Sequence, residues 1–112
     1  MDELVQFLRA RLDEDEQIAR DANASPEMVT GIPRSYASAP VALHIVRHDP
    51  ARVLRDIEAR RGIVDDLAQV IREGEEYKGP DYYEGVDACE RTLKRLALSY
   101  ADHPAYREEW RP

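Results

Sequence analysis

The sequence predicts an all-α fold: a small helical bundle of three long helices plus short helices, with one irregular loop at about residues 22–39. Three observations lead there. Apolar residues recur at spacings of three and four over three long segments, the repeat of a helix with one buried face. An apolar share of 43% beside a charged share of 35% suits helices that bury one stripe and solvate the rest. Proline, glycine and aspartate punctuate the chain where those segments stop and start.

The first helix is expected from about Asp2 to Asp21, with Leu4, Val5, Leu8, Leu12 and Ala19 on its inner stripe and Phe7 and Ile18 beside it. Asp2 is placed to cap it, and Glu3 suits the positive end of its dipole. The acidic run Asp13 to Glu16 points around most of a helix, so it reads as a solvated face. Residues 22–39 follow as the irregular loop, with Gly31 and Pro33 breaking any continued helix. A short helix from Pro40 to about Arg47 comes next. Asp49-Pro50 then reads as the cap and first position of a long helix to about Glu73.

That long helix carries Val53, Ile57, Val64, Leu67 and Ile71 on one stripe, interrupted by Arg60, whose stem can lie along the core. Its arginines alternate with Asp56, Glu58, Asp65 and Asp66, which predicts salt bridges along the helix. Gly74 suits its end. Asp81 is expected to cap a last long helix from about Tyr82 to Ala101. Tyr82, Val86, Cys89, Leu93, Leu96 and Tyr100 line its stripe, with Cys89 as a buried, inert thiol. Asp102-His103-Pro104 repeats the cap pattern and predicts a short tail helix bearing Tyr106 and Trp110.

At 112 residues the chain is one domain by size, long enough to bury roughly two-thirds of the surface its unfolded form exposes. A net charge of −7 disfavours direct binding to nucleic acid or an anionic membrane. The longest apolar run is three residues, Val41 to Leu43, far short of a membrane span. Cys89 is the single cysteine, which forbids an internal disulfide, and Met1-Asp-Glu-Leu-Val5 lacks the basic start of a signal peptide. The expectation is a cytoplasmic protein.

Three segments are distinctive: Leu8-Arg-Ala-Arg-Leu-Asp-Glu-Asp-Glu-Gln17, His44-Ile-Val-Arg-His-Asp-Pro-Ala-Arg-Val-Leu54 and Leu96-Ala-Leu-Ser-Tyr-Ala-Asp-His-Pro-Ala-Tyr-Arg-Glu-Glu-Trp110. They resemble a family of small actinobacterial proteins of unknown function, also present in their phages. The resemblance covers both ends and the middle of the chain and implies no activity. Many members carry a Gly-Pro-Trp motif and a longer insert after the first helix, where this chain has Ala24-Ser-Pro-Glu27 and a shorter loop. Extra cysteines in many members imply zinc, and here only Cys89 is present.

The candidate binding residues are His44, Arg47, His48 and Asp49 at the central boundary and Asp102, His103, Tyr106 and Trp110 in the tail. If those two boundaries pack together, they form one surface for a ligand or partner. His44 and His48 lie one helical turn apart and with His103 are the candidates for zinc or another divalent metal; the reading otherwise calls for no cofactor. Against this, Asp49 and Asp102 are accounted for as caps. Tyr106 and Trp110, one turn apart, are either core staples or an anchor for a partner. No residue is assigned as catalytic, because the chain has neither a strained nucleophile elbow nor a glycine-rich phosphate loop.

The function expected is therefore a helical binding or interaction module that meets another protein or, as a homodimer, a second copy. A metal-dependent, hydrolase-like enzyme using His44, His48, Asp49 and His103 is the rival reading. An acidic nucleic-acid mimic is a third, and the interleaved arginines argue against it.

Overall fold

A computed structural model describes the backbone of residues 1–24, 39–76 and 80–112, and the side chains of 1–24, 40–76 and 85–112. Among them are four α-helices and no strand: α1 Asp2–Asn23, α2 Ala39–Arg47, α3 Pro50–Glu76 and α4 Pro80–Ala97. Two single 3-10 turns follow, Leu98–Tyr100 and Glu108–Trp110. The all-α expectation holds. Most of the predicted loop, 25–38, lies outside the described residues.

The chain divides into two compact units, each described by itself. One comprises Met1–Leu12 with Arg60–Pro112, the other Asp13–Ala59. The first holds most of the described core: Leu4, Val5, Phe7, Leu8 and Leu12 from α1, Val64, Ala68 and Ile71 from α3, Leu93 and Ala97 from α4, and Trp110. Each large aliphatic buried there contributes about 1.5–3 kcal/mol relative to exposure. In the second unit only Ala19 and Ile57 are fully buried among the described hydrophobic side chains, backed by half-buried Ala42, Ile45, Val53 and Leu54.

Several expectations shift. Asp2 lies inside the first turn of α1, because the Met1 carbonyl already accepts the Val5 amide at 3.0 Å. Its carboxylate still favours the helix through the dipole. In α3 the inner stripe runs Ile57, Arg61, Val64, Ala68 and Ile71, so half-buried Arg61 interrupts it while Arg60 is exposed. Both stripes alternate spacings of four and three and share Ile57, Val64 and Ile71; they differ in the intervening positions, where Arg61 and Ala68 take the inner side in place of Arg60 and Leu67.

α3 also runs through Gly74 to Glu76. A glycine inside a helix costs only about 0.5–1 kcal/mol, and no described glycine has a positive φ. α4 begins at Pro80, which places Asp81 within its first turn, and its α-helical part ends at Ala97. It then tightens into the 3-10 turn, where Ala101 donates to the Leu98 carbonyl at 3.1 Å and Ser99 Oγ to the Leu96 carbonyl at 3.0 Å. Cys89 is half-buried, and Ala97 joins Leu93 at the inner face. The side chains of Asp81 and Tyr82 lie outside those described.

Candidate functional site

The tail is built around α1. The Phe7 ring meets four rings: Tyr100 at 6.2 Å between centroids, His103 at 5.8 Å, Tyr106 at 6.1 Å and Trp110 at 5.0 Å. The first three stand edge-on, the arrangement that brings a positive ring edge to a negative face. The Arg11 guanidinium lies 5.2 Å from the Phe7 ring centre and that of Arg107 lies 5.4 Å from Trp110. Arg107 also pairs with Glu3 at the start of α1. Trp110 is therefore buried in its own unit, as the core-staple reading of it expects.

No α-helix opens at Pro104. Single-turn bonds carry the chain instead, from His103 N to the Tyr100 carbonyl, Tyr106 N to the His103 carbonyl and Trp110 N to the Arg107 carbonyl, each at 2.9 Å. The His103 ring does the capping expected of Asp102, since Nδ1 accepts the Ala105 amide at 3.0 Å. Arg11 Nη1 reaches the same ring edge, 2.8 Å from Nδ1. Asp102 is exposed. The Tyr106 hydroxyl oxygen is buried with no hydrogen-bond partner among the described residues.

The central boundary lies in the other unit. Asp49 is the expected cap: its Oδ1 accepts the Arg52 amide at 2.8 Å and its carbonyl the Val53 amide at 3.0 Å, with Pro50 at the first helical position. His44, Arg47 and His48 are exposed. The two imidazoles stack with centroids 4.3 Å apart and planes inclined by 31°. His48 Nδ1 donates to the His44 carbonyl at 2.8 Å, and the His48 amide donates to the same oxygen at 3.1 Å. Beside His48 is a shallow hollow of about 220 Å³ walled by Asp15, Ile18, Ala22 and Val53.

The two boundaries were expected to form one surface if they packed together; His44–Asp49 falls in one unit and Asp102–Trp110 in the other. Within the described residues no three His, Cys, Asp or Glu side chains group as for a metal. Sequence reasoning missed Phe7 as the hub and Glu3, Arg11 and Arg107 as its polar frame. Phe7 and Arg11 stand four apart on one helical face, which was the available signal. Asp65 was expected to pair within its helix and takes Arg9 of α1 at 2.8 Å, while Glu16 and Arg20 make an i,i+4 pair at 2.9 Å. Among the described residues no helix is long and apolar enough to cross a membrane.

No curated protein and no solved structure matches the chain. One family model does, and its match runs over residues 1–112. The chain belongs to that family, DUF6221, a family of unknown function.

Proposed function

We propose that the protein is a small cytoplasmic helical interaction module that binds another protein through α2 and the boundary residues His44, Arg47 and His48. The observation that carries this reading is the outward apolar face of α2. Val41, Leu43 and Val46 are 49%, 56% and 65% exposed on a helix of nine residues. Exposed apolar side chains scattered singly are ordinary, and Val41, two residues from Leu43, points to another side of the helix; Leu43 and Val46, three apart, stand together on one side. Leu43, Val46 and Arg47 fall at three- and four-residue spacing, so one side of α2 offers two apolar groups and a cation. Such a side suits a partner presenting apolar groups beside a carboxylate. The single cysteine, Cys89, which forbids an internal disulfide, supports a reducing cytoplasmic setting.

The test is a double substitution, Leu43→Glu with Val46→Glu, compared with wild type by sedimentation velocity and by affinity capture from the native cell. Retention of one protein by wild type, whether a second copy or a different chain, with loss in the double variant at unchanged helicity, supports the module. Identical monomeric behaviour and identical capture by both chains refute it.

A further inference from the structure

We propose that His44 and His48 form a two-histidine site for one divalent transition-metal ion of the zinc, nickel or copper class. Residues four apart on a helix project side by side, so two imidazoles can converge on one ion. Here the rings already sit together, 4.3 Å between centroids. The decisive detail is the hydrogen bond behind the ligand. His48 Nδ1 donates to the His44 carbonyl at 2.8 Å, which fixes the proton on Nδ1 and leaves Nε2 with its lone pair outward. A histidine that ligates a metal characteristically holds its other ring nitrogen on a backbone carbonyl or carboxylate in this way. That oxygen belongs to the other histidine of the pair, so the second ligand's own backbone orients the first.

The rest of the coordination shell follows from what surrounds the pair. Asp49 is engaged as the cap of α3 through Oδ1, and no third His, Cys, Asp or Glu joins the group among the described residues. Water therefore completes the shell and the ion exchanges readily. Two neutral imidazoles favour late first-row ions over magnesium or calcium, with copper bound more tightly than nickel or zinc. The pair is shared with the proposed partner surface, but the metal site rests on the histidines and their hydrogen bond and not on the apolar face, so metal uptake and partner capture succeed or fail separately.

Isothermal titration of the metal-free full-length chain with zinc sulfate, nickel chloride and copper chloride tests it. One ion per chain is expected, in the order copper, nickel, zinc, with no uptake of magnesium. His44→Ala and His48→Ala each weaken binding by at least about tenfold, the loss already seen when an outer partner of a ligand is removed. The combination H44A/H48A abolishes it. Both side chains are exposed, so helicity by circular dichroism stays at the wild-type level in all variants. A further variant, H48A with Val46→His, keeps the histidine count but spaces the pair by two, which points the rings apart on a helix. It is expected to bind no better than H48A. Binding that survives in H44A/H48A, or that V46H restores, overturns the proposal, as does the absence of stoichiometric uptake by wild type.

Discussion

Phe7 and Trp110 are 103 positions apart in sequence and lie with their ring centres 5.0 Å apart, tilted by 46°. The last turn of the described chain thus closes on the first helix. Both rings are about 7% exposed, so each fills space that the other would leave empty. Removing either ring is predicted to destabilise the protein by about 3–5 kcal/mol, the range for a buried aromatic cut to alanine. The pair shares one space, so the double variant is expected to lose less than the sum. Denaturant unfolding of Phe7→Ala, Trp110→Ala and the double variant measures that coupling, expected at about 0.5–1.5 kcal/mol for an aromatic pair. Strict additivity would mean that the two rings stabilise the protein independently.

Tyr106 offers the opposite case. Its ring packs edge-on against Trp110 at 5.9 Å and on Phe7, while its hydroxyl oxygen is buried without a partner among the described residues. A buried polar group left unsatisfied costs about 1–3 kcal/mol, whereas the ring contributes by packing. Tyr106→Phe is therefore expected to leave stability unchanged or raise it by up to about 1 kcal/mol, and Tyr106→Ala to lower it by several kcal/mol. A Tyr106→Phe variant with a melting temperature clearly below wild type would show that the hydroxyl has a bound partner in solution.

The difference between those two rings bears on what the sequence made legible. The buried positions of α1 and the seven-residue repeat Ile57, Val64 and Ile71 of α3 were readable from apolar spacing, whereas the positions between them in α3 were not, since 60 or 61 and 67 or 68 both keep spacings of three and four. Leu4, Leu8, Leu12, Val64 and Ile71 all went inside. Phe7 was not readable as a hub, since its partners come from Tyr100 to Trp110, and no local rule reports which ring closes on which helix. The tail failed for a related reason. Asp102-His103-Pro104 has the residue types of a helix start, but His103 Nδ1 takes the nearby Ala105 amide and Arg11 takes up the rest of the ring edge, so the chain turns instead of winding.

Asp49 and Asp102 form a paired test of that reading. The two share a sequence logic, yet only Asp49 accepts a helix-start amide, at 2.8 Å from Arg52 N. Asp49→Ala is expected to lower stability by about 1 kcal/mol through the loss of the cap of α3, with Asp49→Asn restoring most of it. Asp102→Ala, at an exposed position, is expected within about 0.5 kcal/mol of wild type. Thermal unfolding of the three variants separates the two aspartates. Equal losses at both positions would contradict the assignment of capping to Asp49 alone.

The tail ends on a fork between Glu108 and Arg111, with Arg111 Nε 3.0 Å from Oε2 and Nη2 3.2 Å from Oε1. Those hydrogen bonds, and then the charge of Arg111, hold the Glu108 carboxyl below its ordinary value, while the same contacts raise the Arg111 guanidinium. The sign follows from the shift. A carboxylate lowered in the folded state contributes stability above its unfolded value of about 4.3 and loses it as pH falls through the lower folded one. The raised arginine loses its contribution only in strong alkali. Both groups are solvent-facing, so the effect belongs to the tail and is small. Trp110 lies inside this 3-10 turn, and its fluorescence reports the docking of the tail on Phe7. Glu108→Gln is expected to loosen that docking at neutral pH and to match wild type once the pH has fallen through the lowered folded value and Glu108 itself is protonated. A difference between the two chains that persists undiminished at that acidity would show that Glu108 acts through its shape and not its charge.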